Sequence, residues 1–321
     1  METELPNRRP RDYLLLAAKG MAMGAADVVP GVSGGTIALL TGIYDELIGS
    51  LKNIGPANLV TLFKCGPAAF WREINGTFLV VLFAGVLVSI KTFAAVIAWC
   101  LENYPLLVWA FFSGLIAASV VMLWRKQEAW HWRQWLAFAV GVFVVLFISM
   151  ARPAELPSSN WLLLGGGFIA IVAMILPGIS GSFILLLLGL YSGLLAAVNN
   201  NDIVALLCFL VGAVLGLLSF SRILAWLLER YHTTTLAVLL GFLVGSLNVT
   251  WPWKVVLEST IDRHGEKIAL VQANVLPADF ALETQSDPMT VLVLCMVFFG
   301  IFLVLFTECV ARLISHSSKK R

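Results

Sequence analysis

Pro30-Gly31-Val32-Ser33-Gly34-Gly35 and Pro177-Gly178-Ile179-Ser180-Gly181-Ser182 are two copies of one break in an otherwise apolar chain. The match runs without a gap from Pro30–Leu47 to Pro177–Leu194, an offset of 147 residues, and keeps Gly42/Gly189, Tyr44/Tyr191 and Leu47/Leu194. Proline lacks a donor and clashes with the preceding turn, and glycine costs backbone entropy, so neither copy is a regular helix interior. A second stretch, Gly85–Tyr104, matches Gly212–Tyr231 at an offset of 127, with Phe93/Phe220, Trp99/Trp226 and Glu102/Glu229 among its identities. The offset changes because the first copy carries a longer loop, Leu51–Gly76 against Asn199–Asp202.

The chain is 60% hydrophobic and 12% charged, with a mean hydropathy of +0.91. A soluble domain carries about 25% charged residues. Apolar runs long enough to cross a bilayer recur from end to end, so the fold class is an all-α polytopic membrane protein. The short alternating strands of a transmembrane barrel are absent. The five cysteines, Cys65, Cys100, Cys208, Cys295 and Cys309, show no metal or redox spacing. Arg8, Arg9 and Arg11 before Tyr13–Ala18 resemble a signal peptide, but Lys19 interrupts the run and it leads straight into the repeated motif. It reads as part of the mature protein.

The apolar segments divide into two repeats. The first, 1–151, has a broken hairpin at 13–50 and spans at about 77–99, 105–124 and 135–151. The second, 152–321, has a hairpin at 161–198, spans at about 203–228, 234–249 and 290–314, and an outer loop at 251–288. With a cytoplasmic N-terminus, sixteen of the 21 Lys and Arg fall on the cytoplasmic side. Only Arg152, Lys254, Arg263 and Lys267 fall outside, and Lys91 lies within a span. The positive-inside rule selects this orientation, with both termini cytoplasmic. It does not decide whether the hairpins are re-entrant or cross fully, because two crossings cancel. An odd number of crossings separates equivalent elements, so the halves are inverted, the architecture of alternating-access transporters. Trp251-Pro252-Trp253 and the cluster Trp124, Trp130, Trp132 and Trp135 read as interfacial anchors.

A helix restarting at Ser33 points unpaired N–H groups and the positive end of its dipole at the break. Ser33, Gly34, Gly35 and Thr36 would let an anion approach the backbone, and Ser180, Gly181 and Ser182 repeat the arrangement. Pro30, Gly31, Pro177 and Gly178 make the two breaks. The competing reading is a pair of proline kinks with small residues for tight packing. Lys91 inside its span calls for a cavity or a partner, at a cost of about 2.5–3.5 kcal/mol on insertion scales. Its equivalent is Leu218, but Arg222 lies one turn on and is a second candidate cation, with snorkelling to the interface as the alternative. Asp27, beside the first break, is a candidate proton-coupling carboxylate. A local cap, or a salt bridge to Lys19 or Lys91, is the other reading.

The four histidines, His131, His232, His264 and His316, lie in loops or the tail, and no HExxH, GxSxG or Walker A pattern occurs. The reading is a non-enzyme with no metal, no cofactor and no nucleic-acid partner. A homo-oligomer is compatible with it.

The run Gly24–Thr36 with Gly42-Ile43-Tyr44, together with its copy from Leu176 to Ser182, resembles domain-of-unknown-function family 368, the polyprenyl-phosphate (undecaprenyl-phosphate) transporters, over essentially the whole chain. The resemblance implies translocation of undecaprenyl phosphate from the outer to the inner leaflet of the bacterial cytoplasmic membrane, which recycles the carrier lipid of envelope polymers. The main alternative is a small-anion transporter or channel using the same helix tips. A lipid phosphatase or transferase lacks its nucleophile and base, and a scaffold needs neither a buried lysine nor paired breaks.

Overall fold

The computed structural model describes residues 8–29, 32–125, 127, 129–151, 159–261 and 267–319. Before the long loop the helices are α1 (Pro10–Val28), α2 (Gly34–Leu40), α3 (Tyr44–Lys52), α4 (Pro56–Cys65), α5 (Pro67–Glu73), α6 (Gly76–Asn103), α7 (Pro105–Arg125) and α8 (Trp132–Met150). They continue as α9 (Asn160–Ile175), α10 (Gly181–Leu187), α11 (Tyr191–Asn199), α12 (Ile203–Arg230) and α13 (His232–Val249). A hairpin of β1 (Lys254–Ile261) and β2 (Lys267–Asn274) follows, then α14 (Pro277–Thr284) and α15 (Thr290–Lys319). Five described helices are long and apolar enough to cross a membrane, or six spans if the bent pair α10–α11 counts as one. Large apolar side chains such as Phe143, Phe147, Phe298 and Phe302 are exposed along α8 and α15, as a lipid-facing surface requires. The chain is a multi-pass membrane protein.

The sequence repeat is also a repeat of backbone. α1 ends at Val28 and α9 at Ile175, α2 and α10 are both seven residues long, and α3 and α11 both nine. α6 and α12 begin and end in register, each 28 residues long. The arm that the sequence reads as one segment after each break is itself two helices, and α10 meets α11 at 106°. The corner is Gly42 at φ +70° in one copy and Gly189 at φ +68° in the other, a left-handed conformation that only glycine adopts freely. The turns close alike: Ile43 N–H donates to Ala38 O at 3.0 Å and Leu190 N–H to Leu185 O at 2.9 Å.

The chain packs as two compact units, one from Met1–Ala98 and Pro153–Leu239, the other from Trp99–Arg152 and Leu240–Arg321. Each unit draws equivalent parts from both repeats. In the first, α1 crosses α6 on reciprocal glycines: a Cβ at Gly20 would lie 2.2 Å from Leu82 O, and one at Gly85 2.4 Å from Ala17 O. α9 crosses α12 the same way, with Gly167 against Phe209 O and Gly212 against Leu164 O. These positions are equivalent at offsets 147 and 127, so one small-residue contact brings the backbones together in both copies. In the second unit α7 and α15 approach through Gly114 and Gly300.

Two regions read from sequence as loops hold structure. The loop 51–76 contains α4 and α5, each opened by a proline in its first turn. The outer loop contains the β1–β2 hairpin, antiparallel from Lys254↔Asn274 to Ile261↔Lys267, with an irregularity near Glu258. Trp251 and Trp253 are not simple interfacial anchors. Their indole N–H groups donate to Val275 O and Pro288 O, both at 2.9 Å, and Trp253 is buried with Ala110 and Val293. A buried indole seeks a partner for its one donor, and the loop backbone supplies it.

The reciprocal glycine contacts carry a test. Gly212→Val should cost about 1–3 kcal/mol by overpacking, whereas Gly165→Val, where an added Cβ meets nothing within 4 Å, should be near neutral. Thermal unfolding of the purified protein in detergent measures both.

Candidate functional site

A helix leaves its last carbonyls without intrahelical partners, and within a bilayer no water replaces them. α9 ends in this condition at Ile175, and the polar side chains of the first hairpin meet it. Ser33 donates its hydroxyl to Met174 O at 2.8 Å and accepts from Gly35 N–H at 3.1 Å, as the N-cap of α2. Tyr44 donates to Ile175 O at 3.1 Å. Thr36 Oγ1 accepts from Gly178 N–H at 3.0 Å. Ser33, Thr36 and Tyr44 are all buried. Gly35 is needed for the approach, since a Cβ there would lie 2.7 Å from Ile175 O. The start of α2 thus abuts the end of α9, positive pole to negative pole.

The start of α2 also holds a carboxylate. Gly34 N–H donates to Asp27 Oδ1 at 2.6 Å, within one unit and across the break. Asp27 is a local cap in this arrangement, and a short one. Lys19, one of its candidate partners, donates instead to Thr41 O at 2.8 Å, at the end of α2.

The second copy is differently engaged. The Ser180 and Ser182 hydroxyls lie 2.9 Å apart. Ser180 and Gly181 are buried, while Ser182 is exposed at the start of α10. Pro177 and Gly178 are buried in the turn, Gly178 at φ +85°. Pro30 and Gly31 lie outside the described residues. Among the sequence candidates, Ser33, Gly34, Gly35, Thr36 and Asp27 therefore gather with Pro177 and Gly178.

The two candidate cations stand elsewhere. Lys91 is exposed on α6, near Leu87, Val88 and Phe93, which are also exposed. Arg222 donates to Ile54 O at 3.2 Å and to Leu218 O at 3.0 Å, clasping the turn after α3. Gly55 makes room for it, since a Cβ there would lie 1.8 Å from the guanidinium. Around α3 lie further charged contacts: Lys52 to Glu229 at 2.5 Å, His232 to Asp45 at 3.9 Å, and Arg8 to Glu46, which also accepts from Asn75 at 2.7 Å. A cavity of about 220 Å³ between α3 and the end of α12 is lined by Asp45, Ile48, Gly49, Leu228, Glu229 and His232.

Tyr44 is the member of the site that sequence reasoning did not single out. Its signal was present as one of the repeat identities, Tyr44/Tyr191, but nothing in a sequence says which carbonyl a tyrosine reaches.

Residues 23–268 match the family model described as undecaprenyl phosphate translocase-like. A polyprenyl-phosphate transporter of Vibrio cholerae is 45% identical over 297 residues, 92% of this chain and 96% of that protein. A polyprenyl-phosphate transporter of Staphylococcus aureus is 31% identical over 252 residues, 73% of this chain and 84% of that protein. No solved structure matches the chain. The chain belongs to the undecaprenyl phosphate translocase-like family, a family of transporters and not of enzymes.

The contact between the breaks makes a further prediction. Thr36→Val keeps the shape but strands the Gly178 N–H, and should cost about 1–3 kcal/mol. Ser182→Ala, at an exposed hydroxyl, should stay within about 0.5 kcal/mol. Thermal stability in detergent distinguishes the two.

Proposed function

We propose that this protein moves undecaprenyl phosphate from the outer to the inner leaflet of the bacterial cytoplasmic membrane. The two halves are read as inverted repeats, 1–151 and 152–321, with both termini cytoplasmic. One observation carries the reading: both helix breaks, of a kind that displays backbone donors to anions, meet at one place in a chain of this family. A phosphate with a long apolar tail needs a polar station for its head and an open side for its tail. The starts of α2 and α10 supply the station, through Ser33–Thr36 and Ser180–Ser182.

Lys91 suits the approach. It is exposed beside lipid-facing apolar side chains, where a phosphate arriving laterally from the bilayer meets a cation before the helix tips. Arg222 acts nearer the cytoplasmic end, and its grip on Ile54 O must loosen for it to reach a phosphate.

Asp27 gives the cycle a proton. Inward movement of an anion runs against a potential that is negative inside, about 2.3 kcal/mol per charge per 100 mV. A proton carried with the phosphate offsets that work. Asp27 holds the Gly34 N–H as a carboxylate. Protonation weakens that bond and frees the donor for the phosphate, so loading of the proton and of the lipid go together.

The test uses proteoliposomes containing purified protein and undecaprenyl phosphate, with leaflet accessibility of the lipid phosphate followed over time. Wild type should speed translocation. Lys91→Ala and Ser180→Ala/Ser182→Ala should each slow it roughly tenfold or more, the scale of a lost hydrogen bond to a charged group. Asp27→Asn should slow transport and flatten its pH dependence, and an unchanged profile removes Asp27 from the coupling. If wild type leaves the lipid in place while a soluble anion crosses, the tips serve a small-anion pathway instead.

A further inference from the structure

The two hairpins share a backbone but not a set of contacts. Tyr44 and Tyr191 are equivalent, as are Ser33 and Ser180, and the helices around them match residue for residue. Tyr44 is 2% exposed and donates to Ile175 O, whereas Tyr191 is 37% exposed with no hydrogen bond found for its hydroxyl among the described residues. Ser33 reaches across to Met174 O, whereas Ser180 turns to Ser182. The positions equivalent to Met174 and Ile175 are Asp27 and Val28, the last turn of α1. Their carbonyls stand at a helix end just as those of α9 do. The first hairpin thus latches onto the second, and the matching latch of the second onto the first is unmade.

We infer that Tyr44 and Tyr191 are paired positioning residues that latch in turn: the structure is one of two states exchanged by swapping the conformations of the halves, and in the other Tyr191 donates to Val28 O and Ser180 to Asp27 O. This rests on the inverted-repeat reading of the proposed function. In a pair of inverted halves, every contact from the first to the second has a counterpart from the second to the first. A state with only one of them made is asymmetric across the membrane, and exchanging them exchanges the side that is closed. The swap also moves Asp27, because its own backbone carbonyl becomes the acceptor for Ser180.

The two states are not equal in energy. The ion pairs Lys52–Glu229 and Arg8–Glu46, with the His232 imidazole 3.9 Å from Asp45, brace α3 in the observed state. The equivalents of Lys52, Asp45 and Glu46 are Asn199, Ser192 and Gly193, and that of His232 is Pro105, so the swapped state has no matching ion pairs. Thr36 likewise has Phe183 as its equivalent, which offers no acceptor to the opposite turn. The observed state is the resting one, and substrate is needed to populate the other.

Single cysteines report the exchange without touching the latches. Ile48 is fully buried beside the α3–α12 cavity, and its equivalent Leu195 is 37% exposed. With the native cysteines replaced, Ile48→Cys and Leu195→Cys are labelled by N-ethylmaleimide in vesicles of bacterial phospholipid containing undecaprenyl phosphate. Adding Tyr44→Phe should raise the labelling rate at position 48 about fivefold, the scale of one lost buried hydrogen bond, and lower it at 195. Adding Tyr191→Phe should shift both rates the other way. If Tyr44→Phe raises both rates, the tyrosine is a structural tie and the inference falls. If neither rate moves, it also falls. Leaflet translocation of the lipid in the same vesicles separates this from the substrate assignment. Reciprocal labelling without lipid movement overturns the substrate and keeps the latch, and lipid movement without reciprocal labelling does the reverse.

Discussion

Breaking a helix inside a bilayer leaves backbone groups that nothing in lipid can satisfy, and the first unit is organised around meeting that demand. The end of α9 presents carbonyls at Met174 and Ile175 and an amide at Gly178. Ser33, Tyr44 and Thr36 answer each of them from the other hairpin. A single proline kink would have been patched locally, by a neighbouring turn or a water. Ser33 answers the break from 141 residues away, so the residues that stabilise the break also tie α2 to α9 within one packed unit.

Much of this was legible in the sequence, for reasons that differ by element. The breaks declare themselves because Pro and Gly act on the backbone whatever the tertiary setting. The spans 105–124 and 203–228 agree with α7 and α12 to within two residues at each end, because length and hydropathy alone specify a crossing. The outer β-hairpin was not legible: in a chain dominated by apolar runs, Lys254–Ile261 and Lys267–Asn274 read as a polar loop, and the alternation that marks them is interrupted near Glu258. The corners at Gly42 and Gly189 were quoted as identities without being read as turns, since a glycine within an apolar run also serves close packing. Side-chain partnership was the least legible of all. Asp27 had three candidate roles on spacing, and only coordinates place its carboxylate on the Gly34 N–H.

The reciprocal glycines show why the repeat survives in backbone but diverges in chemistry. Gly20 with Gly85, and Gly167 with Gly212, hold α1 against α6 and α9 against α12 at backbone contact. Such contacts tolerate no side chain, so both copies keep them. Positions outside these contacts are under no such constraint, and there the copies differ: Asp45, Glu46 and Lys52 on α3 stand where Ser192, Gly193 and Asn199 stand on α11.

The carboxylate of Asp27 at the start of α2 brings these threads together. A helix start embedded in the membrane cannot be left without partners, because its unpaired N–H groups carry the same desolvation penalty as the broken carbonyls. Two side chains of the same copy supply them: Ser33 accepts from Gly35 N–H and Asp27 from Gly34 N–H. Asp27 has no counterpart in the second copy, where Met174 stands. The first copy therefore supplies the side chains, Ser33, Tyr44 and Thr36, and the second supplies the backbone groups they meet.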